Sequence, residues 1–449
     1  MKKIAIIGGG AAGLAAAIAA GNELARLGAA DECEIVLFEA DPERVGRSIL
    51  ATGNGRCNFS NAHIDPACYR NADFVEAALR SLARLSGVSE WGSAQPVGTS
   101  EAPGRESTQS ASVFEAPVQR FFSDLGLMWR EEGEGRMYPA ANKASSVLDV
   151  LRAALDVSGA RVEFGKALRA IEVPARGKGR FHLRFSDGSI AHAEKVVLAV
   201  GGRGVSAVDT SSVIPCELTR PVLGPLATDS RITRQLNNIR VKCAVSLERS
   251  GSLVAREEGE LLFRDYGVSG VCVFNLSRFA CEGDVLSIDF LPRMSAADCG
   301  AWLFARRKHL SARLGENGQI AAEDVLRGAM LPQVAQVLCK CAGIDPARSL
   351  SKKDVLALSR VIGGLRLTVQ GIGDVKQCQV SRGGLSIAAF DPQTMGAVRA
   401  SGLFAAGEAL DVDAPCGGYN LHWAWSSGLL AGVSAARSAV PADGEGEGE

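Results

Sequence analysis

Apolar and polar positions change their spacing several times along the chain, and each change marks an element. Lys2-Lys3-Ile4-Ala5-Ile6-Ile7 reads as a strand, followed by Gly8-Gly9-Gly10-Ala11-Ala12-Gly13 and a run of small residues that predicts a helix. Glu34-Ile35-Val36-Leu37-Phe38 is a second apolar strand, so residues 1–40 form β-α-β. Residues 45–61 carry Gly, Asn and Arg with little periodicity. Such a loop offers many backbone and amide donors to a phosphate or a polar ring edge, although a surface turn has the same composition. Helices are expected over 72–85, 113–127 and 144–155, with residues 93–112, rich in Ser, Gly, Pro and Glu, as an exposed loop. Short strands follow at 161–164, 168–173, 181–185 and 191–200, with Ser186-Asp187-Gly188 as a hairpin turn. The last of these ends in the apolar run Lys195-Val196-Val197-Leu198-Ala199-Val200-Gly201-Gly202, as a buried parallel strand should, and returns the chain to the first sheet.

From residue 206 the pattern alternates like an antiparallel sheet or barrel up to about 292. Residues 295–362 are mostly helical, with starts at Ser295 and Ser351 and a break at Asp345-Pro346. Strands return over 363–389, and after Ser401 the order is strand, glycine turn, helix. The expected organisation is therefore discontinuous: a nucleotide-binding domain from 1–205 and 390–440. Inserted in it are a β-barrel domain (206–294, with return strands 363–389) and a small helical domain (295–362). Residues 441–449 form a disordered acidic tail.

Composition narrows the class. The chain has 449 residues, 47% hydrophobic and 22% charged, enough to bury large cores in two or three domains. Its net charge of −1 gives no electrostatic case for nucleic acid or an anionic membrane surface. The 12 cysteines are scattered, the nearest pair being Cys339-x-Cys341, which reads as free thiols in a reducing cytoplasm. Residues 4–20 imitate a signal peptide, but a secretory segment has no need of three glycines at fingerprint spacing or of an acidic residue after the next strand. No stretch approaches the ~20 apolar residues of a membrane span.

The glycines carry the chemistry. In Gly-x-Gly-x-x-Gly, Gly8 permits the tight turn, Gly10 lets the backbone approach a pyrophosphate, and Gly13 lets helix and strand pack closely. The phosphates would sit on free N–H groups at the helix start, and Glu39 can accept hydrogen bonds from a ribose diol. Alone, this leaves NAD and FAD open. Near the other end, Phe404-Ala405-Ala406-Gly407-Glu408 is a buried strand ending in glycine and a carboxylate. Asp411-Val412-Asp413-Ala414-Pro415-Cys416-Gly417-Gly418-Tyr419-Asn420-Leu421 then leads into a helix over 423–436. That is a second glycine turn into a second helix start, suited to the negative charge a reduced flavin carries, and it favours FAD.

With these residues in view, the chain resembles the BaiN-like family of NAD(P)/FAD-dependent oxidoreductases, also described as aminoacetone-oxidase-family flavoproteins. The resemblance is carried by residues 8–13, 46–61, 136–148, 260–277 and 407–432, the Gly53–Asn61 run and Cys-Gly-Gly-Tyr-Asn-Leu-His-Trp-Ala-Trp-Ser-Ser-Gly being its most specific parts. It implies an α/β fold with a glutathione-reductase-like FAD-binding Rossmann domain, an inserted β-barrel domain and a small helical domain. By position it implies that Gly8, Gly10, Ala11, Ala12 and Gly13 bind pyrophosphate and Glu39 the adenosine ribose. Arg47 would lie near the adenosine or phosphates, Leu168 beside adenine and Gly201 against the cofactor. Gly407 and Glu408 would hold the ribityl and phosphate part, and Gly417, Gly418, Tyr419 and Asn420 would line the flavin. Gly53, Asn54, Gly55, Arg56, Cys57 and Asn58 would pass close to the ring.

Two segments depart from the family pattern. Gly46-Arg47-Ser48 stands where Gly-Arg-Lys is expected, which removes a cation near the cofactor. Phe263-Arg264-Asp265-Tyr266-Gly267-Val268-Ser269-Gly270-Val271 stands where relatives tend to read Phe-Thr-His-Tyr-Gly-Leu-Ser-Gly-Pro, losing a histidine and gaining two charges.

A flavin enzyme needs positioning, electrostatics and sometimes one proton donor from its protein. Tyr419, Cys416 and Arg56 are the candidate catalytic residues; Tyr419 can alternatively only pack or cap, and Cys57 with Cys416 can form a redox pair or be inert. His422 reads as a packed helix residue, and Trp423 and Trp425, two apart, as core. No Ser/His/Asp or metal constellation is visible, so no metal is expected. With one dinucleotide fingerprint, NADH or NADPH as transient donor is what the resemblance implies. The expected function is NAD(P)H-driven reduction of a carbon–carbon double bond in a small organic substrate by a cytoplasmic FAD enzyme. The alternatives are an oxidase of a small amine or hydroxy compound, and a non-catalytic flavin-binding scaffold or sensor.

Overall fold

A computed structural model describes residues 1–87, 113–173, 179–210, 214–314 and 320–440. The expected loop over 93–112 and the expected tail over 441–449 lie outside the described residues. The chain forms two compact units, Met1–Arg220 with Val380–Glu449, and Pro221–Gln379. The expected boundaries were 205/206 and 389/390.

In the first unit, β1 (Lys2–Ile7) is central. It pairs in parallel with β2 (Cys33–Phe38) on one side and with Lys195–Leu198 on the other. Arg161–Glu163 extends the sheet beyond β2, and Leu403–Ala405, from the far end of the chain, extends it beyond Lys195–Leu198, again in parallel. Phe390–Asp391 and Gly396–Ala397 finish that edge as antiparallel strands, making a seven-stranded sheet. This is a Rossmann-type α/β sheet, completed only when the two ends of the sequence meet. Helix α1 (Ala11–Arg26) and the last helix (Tyr419–Ala439) pack together, and nearly every residue of α1 from Ala12 to Leu24 is buried. A helix covered on all sides must be apolar all round. That is why residues 4–20 resemble a secretory segment.

One expected strand is corrected. Residues 191–200 form two strands, Ile190–Ala193 and Lys195–Leu198, which belong to different sheets. The change of sheet falls at Glu194, whose carboxylate accepts the Lys3 N–H at 2.7 Å and Arg180 Nε at 2.6 Å. Both halves are apolar enough to look like one run; the polar residue between them is the joint.

The second unit is a closed barrel of Leu226–Thr228, Arg240–Arg249, Ser252–Arg264, Gly267–Ser269, Val285–Asp289 and Leu365–Ile372. Helices Ala296–Leu314, Ala322–Leu326, Pro332–Cys341 and Lys352–Ile362 follow its fifth strand. Leu303, Leu338 and Leu358 share one buried core with Leu247, Val268 and Leu286 of the barrel. Both expected helix starts are side-chain caps: the Asp298 N–H donates to Ser295 Oγ at 3.1 Å, and Ser351 and Asp354 form a reciprocal capping box. No helix among the described residues is long and apolar enough to cross a membrane.

The contact between α1 and the last helix is backbone to backbone. A Cβ on Gly428 would stand 2.4 Å from the Ala12 carbonyl oxygen, and one on Gly432 would stand 2.2 Å from that of Ala16. Gly432→Val should therefore push the two helices apart and cost about 3 kcal/mol or more, as overpacking in a rigid core does. A fall in melting temperature of several degrees is expected, and an unchanged value would contradict this packing.

Candidate nucleotide-binding site

The three fingerprint glycines do three separate things. Gly8 has φ +104°, and a Cβ there would lie 2.5 Å from the Ala199 carbonyl oxygen, so only glycine makes this turn. A Cβ on Gly13 would lie 1.7 Å from the Gly8 carbonyl oxygen, so the helix can sit on the turn only without one. Gly10 has an ordinary φ of −79°, and the nearest atom to a Cβ would be Ser48 Oγ at 3.5 Å. The fold does not need that glycine; the open space over it does. Gly10 is also the N-cap of α1 and gives no side-chain cap, so the N–H groups at Ala11 and Ala12 face a cradle with no competing side chain. Gly201 has φ +70° and open space where its Cβ would be.

Glu39 anchors the turn. Its carboxylate accepts the Gly9 N–H at 2.6 Å and the Asp41 N–H at 2.7 Å. Gly9 was not among the expected site residues, yet a Cβ there would collide with Glu39 Oε2 at 2.7 Å. The signal was the unbroken Gly8-Gly9-Gly10 run. Arg47 is exposed and reaches Asp41 Oδ2 at 3.2 Å. Leu168 is a buried strand residue opposite Phe185, in the segment whose Lys166 N–H donates to the Glu39 carbonyl at 2.8 Å.

The second glycine turn is built by the same logic. Gly407 (φ +67°) touches Ala12 of α1, donates its N–H to Ser427 Oγ at 2.8 Å, and accepts from Trp423 Nε1 at 3.2 Å. Gly418 (φ +100°) caps the last helix without a side chain, and a Cβ there would lie 2.2 Å from the Ser60 carbonyl oxygen. Asn420 pins the preceding loop, accepting the Ala414 N–H and donating to the Ala414 carbonyl, both at 2.9 Å. Because Gly428 meets Ala12 and Gly432 meets Ala16, the two helices run parallel. The first turn of the last helix therefore stands nine residues before the level of Ala12, roughly 13 Å at 1.5 Å per residue.

The Gly53–Asn58 loop joins this turn. Gly53, Asn54, Gly55 and Cys57 all have φ between +55° and +81°, a left-handed run that turns backbone groups outward. Asn61 Nδ2 donates to the Gly417 carbonyl at 2.8 Å, and Trp425 Nε1 to the Phe59 carbonyl at 2.9 Å. The Asn58 side chain accepts the Met137 N–H at 3.1 Å. Trp423 and Trp425 are buried core, as their spacing implied.

The candidate catalytic side chains are held firmly. The Tyr419 hydroxyl donates to the His63 carbonyl at 2.7 Å, and burial pushes its pKa up to about 12. Arg56 lies over the Tyr138 ring at 4.0 Å and bonds Asn142 and Glu132. Cys57 is buried and burial pushes its thiol up to about 11, so it is no thiolate at neutral pH; Cys416 is half-buried. His422 is fully buried between Ser60 Oγ (2.9 Å) and the Phe114 carbonyl (3.1 Å), and desolvation pushes it down to about 3. Glu408 receives the Ser381 N–H, and burial pushes it up to about 7.

Sequence reasoning missed two ion pairs. Arg70 holds Asp411 at 2.8 Å, and Arg382 grips the fully buried Asp413 with two bonds of 2.7 and 2.8 Å. The Asp-x-Asp in an apolar setting was their signal, since buried carboxylates need partners.

Two outcomes follow. Gly10→Val should fold normally yet purify colourless, because it blocks the cradle while its Cβ meets only Ser48 Oγ, at an ordinary contact distance of 3.5 Å; stoichiometric flavin absorbance would refute the placement. His422 is neutral when folded, whereas the unfolded chain takes up its proton near pH 6.5. Its contribution to stability is complete above that pH and is lost as pH falls toward 3. His422→Asn should flatten the melting-temperature profile in that window, and an unchanged slope would contradict the burial.

Known proteins resemble this chain over nearly its whole length. The chain is 29% identical to a 3-dehydro-bile acid delta(4,6)-reductase of Clostridium scindens, over 97% of this chain and 99% of that protein. It is 25% identical to a ribosomal RNA dihydrouridine synthase of Haemophilus influenzae, over 96% and 98%. Among solved structures it is similar to a 3-ketosteroid-delta4-(5alpha)-dehydrogenase from Rhodococcus jostii RHA1, at 14% identity, 97% of each chain and a TM-score of 0.44. Residues 104–434 match the family described as HI0933-like protein Rossmann domain, and the chain belongs to that family.

Proposed function

We propose that this FAD-dependent oxidoreductase uses NADH or NADPH to saturate a carbon–carbon double bond conjugated to a carbonyl in a small ring substrate. The observation that carries the reading is the pair of parallel, uncapped helix starts offset by roughly 13 Å. One suits the pyrophosphate and the other the pyrimidine edge of the same extended cofactor. In this reading Gly8, Gly10, Ala11, Ala12 and Gly13 hold the pyrophosphate, and Glu39 serves the adenosine ribose with the oxygen lone pairs its loop leaves unused. Gly407 and Glu408 take the ribityl part, and Gly417, Gly418 and Asn420 line the ring. Bound FAD supplies the hydride chemistry. The chain supplies fixed N–H donors and an acid, Glu408, whose pKa near 7 lets it hold or release a proton at neutral pH.

The relatives' names support the bond type. A bile acid delta(4,6)-reductase saturates ring double bonds, and dihydrouridine is uridine with its ring double bond saturated. In both rings that bond is conjugated to a carbonyl. The test is anaerobic: NADH, then NADPH, is mixed with the purified protein while the flavin band is followed. Bleaching by one of them is expected, with colour restored by a cyclic enone. No bleaching by either, together with bleaching by an amine or hydroxy compound and formation of peroxide, would replace this reading with the oxidase.

A further inference from the structure

We infer that the hairpin Arg264-Asp265-Tyr266-Gly267 is a ligand-binding point. There the Arg264 guanidinium and the Tyr266 hydroxyl together receive one acceptor oxygen of a ligand, a ring carbonyl. Strand Ser252–Arg264 turns back over two residues into Gly267–Ser269, with Arg264 opposite Gly267. The turn is fixed by its surroundings. A Cβ on Gly267 would lie 2.1 Å from the Leu226 carbonyl oxygen, the Thr228 N–H donates to the Tyr266 carbonyl at 3.0 Å, and the Tyr266 ring lies against the Gly373 backbone. Both side chains therefore leave a rigid base.

One polar atom of each has no partner. Among the described residues four buried side-chain nitrogen or oxygen atoms have no hydrogen-bond partner, and two of them, Arg264 Nε and Tyr266 Oη, are in this one hairpin. Buried donors without acceptors are destabilising and rare, so two within three residues call for an absent acceptor. Arg264 bonds only Asn238 Oδ1, at 2.9 Å, through Nη1, and no carboxylate among the described residues forms an ion pair with it. Gln377 and the Arg264 guanidinium both lie beside the Tyr266 hydroxyl, and Gln377 Nε2 donates to Asp374 at 2.9 Å. Burial raises the Tyr266 pKa, so the hydroxyl keeps the proton it would donate.

The local charges select the class of ligand. Asp374 is near Tyr266 and is stabilised as a carboxylate by the Lys376 N–H and Gln377, while Asp265 is exposed on the turn. The Asp374 charge beside Tyr266 opposes a full anion at this point, so a neutral, polarisable carbonyl oxygen fits best. That choice of ligand rests on the proposed reductase reading; the unpaired donors do not.

The test uses the full flavin-loaded chain and calorimetric titration with a 3-oxo-4-ene steroid and with the same steroid lacking its 3-oxo group. The ketone should bind about 10-fold or more tightly, a ratio that falls about 3–10-fold in Tyr266→Phe and about 10–100-fold in Arg264→Met, as for neutral and charged donors. Tyr266→Phe should melt no lower than the parent, because it removes an unpaired buried hydroxyl. A merely structural hydroxyl would lower the melting temperature instead. Equal binding of the two steroids, no binding of the ketone, or ratios untouched by both variants would overturn the inference. Flavin bleaching by NAD(P)H with untouched ratios would leave the reductase reading standing without this point. The reverse result would leave the point standing without the reductase.

Discussion

Everything in the first unit depends on how closely α1 and the last helix approach. Gly428 and Gly432 lie on the carbonyl oxygens of Ala12 and Ala16, at separations that no side chain tolerates. This contact brings the two ends of the sequence together, makes the helices parallel, and fixes the offset between their first turns. It also explains why so much can be inserted between them. Once Leu403–Ala405 has joined Lys195–Leu198, the sheet does not register how far the chain travelled in between.

The polar loops around the second helix start obey a different constraint. Four left-handed residues between Gly53 and Cys57 store backbone strain, two of them at residues other than glycine. They persist because the neighbouring segment is fastened: Asn61 holds Gly417, Trp425 holds Phe59, and Gly418 fits against Ser60 with no room to spare. The ion pair Arg70–Asp411 and the buried pair Arg382–Asp413 then stop the following loop from relaxing. A binding surface made of backbone groups needs this kind of support, since it has no side-chain rotamers of its own to adjust.

What the sequence made legible was what depends on short-range chemistry. The Gly-x-Gly-x-x-Gly turn, the caps at Ser295 and Ser351, and the buried Trp423 and Trp425 each follow from a few adjacent residues. The break at Glu194 was hidden, because its role depends on Lys3 and Arg180, far away in the chain. The same holds for Gly9, whose constraint is the Glu39 carboxylate, and for Arg70 and Arg382, which matter only through the aspartates they meet. The helical segment read well as helices, but its shared core with the barrel is a property of Leu303, Leu338 and Leu358 meeting Leu247, which periodicity does not report.

The titratable groups show what kind of catalyst this can be. Tyr419 keeps its proton in a hydrogen bond to a backbone carbonyl, Cys57 keeps its own, and His422 is locked neutral between two partners. Arg56 is spent on Tyr138, Asn142 and Glu132. Glu408, which burial pushes up to about 7, differs from these in standing where a proton can move near neutral pH. A site furnished this way draws no activated nucleophile from Tyr419, Cys57, His422 or Arg56. It is well suited to hydride chemistry, where the bound group does the transfer and the protein contributes position and field. The arrangement of donors, more than any single acid or base, is what this chain brings to the reaction.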